Sequence, residues 1–240
     1  MDIRTDLPPI EAVDALLRAS DAAVHGQRRQ WLDILREGMG HRPRPLSAWR
    51  DGQMVGWLPL VETSSWLFGR HLVSLPYVNG AGLVAEDDTV AELLIERAID
   101  LGRTRRAADL ELRQDAPRPL AGLEPTRTEK VGMALGLPSE KTALWDALPS
   151  KVRSQIRKGQ KLGVTARVGR IELLDAFYNI FARNMRDLGT PVFPKRLFNA
   201  ILAHLGDDAE LVQAEYEGEP IGSALIIHYR GTTEVPSASS

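Results

Sequence analysis

Apolar residues recur at helical spacing in several separate stretches of the chain. Ile10, Val13, Leu16 and Leu17 follow Pro8 and Pro9, which can open a helix, and Trp31, Ile34 and Leu35 mark a second helix over residues 27–36. The period then falls to two. Residues 46–50 and 53–61, joined by Asp51-Gly52, predict a hairpin, because an Asp-Gly pair tolerates the positive φ angles of a tight primed turn. Residues 67–77 predict a third strand, and residues 88–101 a helix striped by Val90, Leu94, Ala98 and Leu101 with Gly102 at its end. Ala108, Leu110 and Leu112 alternate with polar residues as a half-buried strand; 117–123 reads as loop and 126–137 as a weakly patterned strand. The second half predicts a short strand at 164–168, an amphipathic helix over 171–188 stopped by Gly189-Thr190-Pro191, and a further helix over 195–205.

The next segment explains the order of these elements. QAEYEGEPIGSALII at 213–227 repeats the pattern of SAWRDGQMVGWLPLV at 47–61: Ala48 matches Ala214, Gly52 matches Gly218, Val55 matches Ile221 and Gly56 matches Gly222, all 166 residues apart. Both segments follow a pair of helices, so the order of elements repeats along with the residues, and the pattern predicts a duplicated α/β unit divided into residues 1–138 and 139–240. Carried to Ser240, the spacing stops level with Ser74. The expectation is a truncated second copy that lacks counterparts of the 88–101 helix and the 107–113 strand and leaves a sheet edge open.

Composition narrows the class. The 240 residues are 43% hydrophobic and 26% charged, as in soluble globular chains, and no apolar run approaches the about 18 residues that span a membrane. The absence of cysteine excludes disulfides, thiolate metal sites and a cysteine nucleophile. The N-terminal residues show no basic segment followed by an apolar run, so a cytoplasmic location is expected. A net charge of −2 argues against a general nucleic-acid coat, and DNA is not expected as a partner. Against this acidic background SKVRSQIRKGQKLG at 150–163 stands out: from Lys151 to Arg170 there are seven Lys or Arg and no acid. On a helix, Val152, Ile156, Gly159 and Gly163 share a face that is expected to pack, with Lys151, Arg153, Arg157, Lys158 and Lys161 on the other side toward water or an anion. Stabilising surface helices normally mix Glu with Lys, whereas this one repels itself.

Several motifs carry no chemistry. Gly80-Ala81-Gly82-Leu83-Val84-Ala85 has the letters of a dinucleotide fingerprint, but its glycines do not open a helix, and a bend near a ligand groove accounts for it better. Gln160–Gly163 begins like a coenzyme A pyrophosphate loop, yet it lies at a helix end and position 165 is Thr. Histidines 25, 41, 71, 204 and 228 show no ligand spacing, so no metal or other cofactor is expected. No GxSxG elbow exists. Trp49, Trp57, Trp66, Phe177, Tyr178 and Phe181 are expected in the core. A duplicated α/β unit without a nucleophile suits direct acyl transfer, in which an amine attacks an activated ester that the protein orients.

The residues Lys151-Val152-Arg153-Ser154-Gln155-Ile156-Arg157-Lys158 with Lys161 and Gly163, and Asn184 to Pro191 (NMRDLGTP), resemble the FemAB-like family of tandem GNAT-fold aminoacyl and acyl transferases. Leu75-Pro76-Tyr77 and Leu110-Glu111-Leu112-Arg113 fit as well, and the nearest look-alikes are the FemAB-related proteins of PEP-CTERM/exosortase systems. The resemblance covers the whole chain. It implies two GNAT-like domains of mixed sheets with flanking helices, the family pattern continuing beyond Ser240, and it implies a long tRNA-binding helical arm that no heptad run here could form. The implied reaction moves an amino acid from aminoacyl-tRNA, or a related acyl group, to an amine of a peptidoglycan or exopolysaccharide precursor. That acceptor would be an anionic small molecule, or one linked to a nucleotide or lipid diphosphate carrier.

On this reading Lys151, Arg153, Arg157, Lys158 and Lys161 bind phosphate or another anion, Arg186 and Thr190 shape the pocket at the end of the next helix, and Tyr77 and Asn79 line the cleft from the first half. No residue stands out as general base. The rival readings are a non-catalytic envelope-biogenesis binding factor and a coenzyme A-dependent N-acetyltransferase, the latter disfavoured by the missing pyrophosphate loop.

Overall fold

The computed structural model describes residues 1–114, 122–124 and 132–240. Its first half runs β1 (Asp2–Arg4), α1 (Ile10–Ala19), α2 (Gln30–Met39), β2 (Arg42–Pro43), β3 (Leu46–Arg50), β4 (Gln53–Leu58), β5 (Val61–Ser65), β6 (Gly69–Val73), β7 (Val84–Ala85), α3 (Asp88–Arg105) and β8 (Asp109–Glu111). The second half runs α4 (Lys141–Ala147), α5 (Ser150–Lys161), β9 (Thr165–Gly169), α6 (Leu174–Asp187), α7 (Lys195–Leu205), β10 (Ala209–Tyr216), β11 (Glu219–Tyr229) and β12 (Thr232–Ser239). The loop expected at 117–123 and the first half of the strand expected at 126–137 fall largely outside the described residues, and the described part of that strand, 132–137, has no regular secondary structure.

Expectations change at element ends: the strand expected over 53–61 stops at Leu58, before Pro59, and Val61 opens β5 in another sheet. The helix expected to stop at Gly102 continues to Arg105, because Gly102 packs under Leu72 inside the helix and Arg106 takes the left-handed φ of 51° that ends it. The strand expected at 67–77 contracts to β6, since residues 66–68 form the turn before it and Leu75 and Tyr77 adopt left-handed φ angles after it.

The duplication extends to fine geometry. β3 and β4 pair Ser47 with Trp57 and Ala48 with Gly56; β10 and β11 pair Gln213 with Ser223 and Ala214 with Gly222, the same positions 166 residues on. Both ladders slip at the same place, between Ala48 and Trp49 and between Ala214 and Glu215. Both turns are left-handed pairs, Asp51-Gly52 at φ 51° and 81° and Glu217-Gly218 at φ 52° and 82°. These hairpins sit in sheets of order β1-β3-β4-β7 and β9-β10-β11-β12, whose strands beside β4 and β11 are not equivalent by the offset, since β12 answers to residues 66–73; a third sheet, β2-β5-β6-β8, extends the first half.

In the first half α3 crosses its sheet at Gly56, where a Cβ would lie 2.5 Å from Val90 and 2.8 Å from Leu94. The expected stripe Val90, Leu94 and Ala98 is buried there against Leu46, Ala48 and Leu58. The two halves meet through α2 and α7, which occupy equivalent places in the duplicated pattern, and one continuous core runs through Trp31, Leu35, Leu197, Phe198, Ile201 and Leu225. Gly38 makes the helix contact possible: a Cβ on it would sit 2.7 Å from the Leu197 Cα, and its carbonyl accepts a hydrogen bond from Arg196 Nε at 2.9 Å. Gly38→Ala is therefore expected to destabilise the protein by about 1–2 kcal/mol net of the helix propensity that alanine gains. A thermal melt unchanged or raised would show that α7 yields without cost.

Candidate active site

Where α2, α6 and α7 converge beneath β11 and β12, a cavity of about 270 Å³ opens between the halves. Its walls are apolar: Trp31 and Leu35 from α2, Phe181 and Met185 from α6, Phe193 before α7, and Pro236 and Ala238 from β12. Tyr77 joins them from the loop after β6. Its φ of 69° and the 58° of Leu75 two residues earlier are left-handed conformations that side-chain-bearing residues rarely hold, the kind of local strain that concentrates at ligand sites. The Tyr77 ring stacks on His41 with centroids 5.7 Å apart and meets the edge of Phe193 at 5.0 Å. The Tyr77 hydroxyl lies 3.2 Å from His41 Nε2. Burial lowers the His41 pKa and raises that of Tyr77, so both neutral forms are favoured and the phenol can donate to the imidazole.

Two residues from Tyr77, Asn79 enters a polar cluster that crosses between the halves. Asn79 Nδ2 donates to Glu234 Oε1 at 3.0 Å, and His25 Nε2 lies 2.7 Å from Glu234 Oε2. The hydrogen bond from His25 holds the Glu234 carboxyl below the usual glutamate range despite partial burial, so Glu234 is an anion with His25 Nε2–H as donor. The His25 side chain is 7% exposed against 31% for Glu234, and His25 Nδ1 is buried without a hydrogen-bond partner among the described residues. Tryptophans secure the 3-10 turn His25–Gln27: Trp31 Nε1 donates to the His25 carbonyl at 3.0 Å and Trp57 Nε1 to the Gln27 carbonyl at 2.8 Å. Gly26 between them leaves no room for a side chain, since a Cβ would stand 2.4 Å from the Asn79 carbonyl oxygen.

The other residues singled out from the sequence fall in two places. Thr190 closes α6 through its backbone N–H on the Met185 carbonyl at 2.9 Å, beside the cavity wall, whereas the Arg186 guanidinium is exposed and pairs with the adjacent Asp187. Asn184 Nδ2 ties α6 to Ser239 Oγ of β12 at 3.1 Å. Lys151, Arg153, Arg157, Lys158 and Lys161 lie on α5, and the recorded partners are local: Arg153 Nη1 donates to the Asp146 carbonyl, and the Arg157 guanidinium sits 5.2 Å from the Trp145 ring centre. The expectation that one face of this helix packs is not met. No residue of α5 is buried, Val152 and Ile156 are 36% and 37% exposed, and a Cβ on Gly159 would meet only Val164 at ordinary contact distance. Gly163, at φ 86°, does end the helix region in the left-handed conformation.

The expected core aromatics divide likewise. Trp57, Phe177 and Phe181 are buried, but Trp66 is 96% exposed, because it lies on the turn where strand alternation has ended. Glu234 and Phe193 escaped the sequence reading, His25 and His41 entered it only as rejected metal ligands, and Met185 only as part of the amphipathic helix and the NMRDLGTP stretch. His25 and Glu234 are 209 residues apart, and no local pattern marks either.

Comparison with known proteins places this geometry in a fold class. The fold is GNAT-like, α/β with mixed sheets and flanking helices, and residues 149–238 match the family model of the acetyltransferase (GNAT) domain. The crystal structure of FemX is similar over 100% of this chain and 80% of its own, at 13% identity and a TM-score of 0.71, a likeness of fold. The structure of L-PGS from Bacillus licheniformis matches 98% of this chain and 69% of its own at 14% identity, with a TM-score of 0.49. No curated protein matches in sequence.

Proposed function

We propose that the protein is an N-acyltransferase that moves an aminoacyl or related acyl group onto an amine of an anionic cell-envelope precursor. The cavity between the halves carries this reading: it is apolar enough to seat an acyl chain, is walled by residues of both halves, and has Tyr77 in its wall, with the Asn79–Glu234 pair two residues along the chain from the wall residues Tyr77 and Pro236. The FemX-like fold and the acetyltransferase (GNAT) match over the second half support it.

In the transfer the amine nitrogen forms a bond to the ester carbonyl carbon, the C–O ester bond breaks, and the proton lost by nitrogen ends on the leaving oxygen, which departs as the alcohol. Glu234, kept ionised by His25 and Asn79, would stabilise the positive charge that develops on the attacking nitrogen and take its proton. With His41 in the tautomer whose Nε2–H donates to the Tyr77 oxygen, the phenol O–H would be free to donate to the acyl carbonyl and orient it in the cavity. Arg153, Arg157, Lys151, Lys158 and Lys161 would hold the phosphates of the carrier, since α5 presents these cations to solvent and pairs none of them with a described acid. Thr190 and Arg186 would bound the pocket beyond Met185.

The test is acyl transfer from aminoacyl-tRNA to an amine acceptor bearing a nucleotide or lipid diphosphate. The Arg153→Ala/Arg157→Ala pair is expected to raise KM for the acceptor about tenfold or more, as loss of charge-assisted hydrogen bonds does. Because α5 buries no residue, the thermal midpoint should stay in place. An unchanged KM in the folded variant removes the role assigned to this helix.

A further inference from the structure

At the tip of the β5–β6 hairpin three apolar side chains in succession face solvent: Trp66 is 96% exposed, Leu67 64% and Phe68 73%. The tip is a formed turn. Ser65 Oγ accepts hydrogen bonds from the backbone N–H groups of Leu67 and Phe68, and Gly69 closes the loop at φ 81°. Placing Trp, Leu and Phe together in water opposes the hydrophobic effect, and a turn that presents them on a convex point offers no groove for a rigid partner to fill.

The surroundings are basic. The C-terminal end of α3 lies against the start of β6, with the Arg70 guanidinium on the Arg105 carbonyl and the Ala108 N–H on the Arg70 carbonyl at 2.7 Å. This brings Arg70, Arg103, Arg105 and Arg106 to the same end of the sheet as the tip. Glu62 in this region is fully buried beneath Arg44, Arg70 and Arg105, Asp109 is held by His71 at 3.0 Å, and Asp100 makes a solvent-exposed pair with Arg103 at 3.4 Å. Arg103 is 78% exposed at its side chain, and Arg106 is exposed as well.

We infer that this hairpin tip docks the protein on an anionic lipid surface, with Trp66, Leu67 and Phe68 entering the headgroup region and Arg103 and Arg106 addressing lipid phosphates. A fluid interface can receive three side chains pointing in different directions, and aromatic rings favour that depth. Arginines beside the insertion point add attraction to acidic lipids. The inference stands apart from the transfer reading, since it concerns the opposite character of surface from the cavity: convex, exposed and basic.

The test is co-sedimentation of the whole chain with vesicles of phosphatidylcholine alone and of equimolar phosphatidylcholine and phosphatidylglycerol. Binding to the mixed vesicles is expected to exceed binding to the neutral ones at least tenfold and to weaken as salt is raised. Trp66→Ser/Leu67→Ser/Phe68→Ser should abolish it, and Arg103→Ala/Arg106→Ala should weaken it about fivefold per arginine. Neither variant removes a buried side chain, and matching circular dichroism melts would show both to be folded. Brominated lipid should quench the wild-type tryptophan emission, and Trp66→Phe should remove most of that quenching. Equal affinity for neutral and anionic vesicles, or undiminished binding by the triple serine variant, would overturn the proposal; absence of vesicle binding would also overturn it and leave the tip to a protein partner.

Discussion

Replacing Glu62 by glutamine is expected to lower the stability of the protein by about 2–3 kcal/mol at neutral pH. The Glu62 side chain has no exposed surface, and three guanidinium groups converge on it: Arg105 Nε at 2.9 Å, Arg44 Nε at 3.2 Å and Arg70 Nε at 3.3 Å. Burial opposes ionisation, but the hydrogen bonds from Arg105 and Arg44 outweigh it and hold the carboxyl below the ordinary glutamate range. The arginines are each about a third exposed, which lets water take up part of the lost interaction and keeps the cost near the lower end for a broken buried pair. The sign of the pH dependence follows from the lowered pKa. The stabilisation is fully present above the unfolded-state value of about 4.3 and disappears as pH falls through the folded-state value. Denaturant unfolding of wild type and Glu62→Gln should therefore give curves that are well separated at pH 7, that approach each other below the ordinary glutamate value and that converge once pH falls through the lower folded-state value. A gap that persists at low pH would mean that packing, rather than charge, carries the effect.

The largest expected effect on activity belongs to Glu234. Glu234→Gln is expected to reduce kcat/KM for acyl transfer about a hundredfold, the usual scale for loss of a positioned proton acceptor. Glu234→Asp keeps the charge and should recover part of the rate. The hydrogen bond from His25 leads the causes that lower the Glu234 pKa, so the carboxylate stays ionised through the neutral range and its loss should appear as a uniform drop across it, with no displaced acidic limb. Full activity in Glu234→Gln would withdraw the assignment and leave substrate positioning alone as the source of rate.

The hydrophobic pattern predicted most of the elements, because helix and strand periods are local properties of the chain. Lys195–Leu205 has the bounds expected of it, and the Asp51-Gly52 turn has the left-handed angles that its composition demands. The repeat was legible too: turn, bulge and pairing register recur at one spacing, since the same residues at Gly52 and Gly218 and at Gly56 and Gly222 impose the same backbone. Local pattern failed where burial depends on what lies opposite. Trp66 has the composition of a core strand but sits on a turn, and Val152 and Ile156 form an apolar stripe that no described element covers deeply.

The candidate site divides along the same line. Tyr77 and Asn79 were expected to line a cleft, and the structure puts Tyr77 in the cavity wall and Asn79 on Glu234; their neighbours His41, His25 and Glu234 carry no local signal for a site. Taken alone, the sequence determined most of the elements, the repeated hairpin pattern and the single basic stretch, since each depends on residues close together in the chain or on a repeat at constant spacing. Only the tertiary structure decided that α2 packs on α7, that a cavity opens between the halves, and that His25 meets Glu234 across 209 residues. Such contacts arise when apolar faces from the two copies are buried against each other, and the polar groups carried along must then find partners that no local pattern specifies.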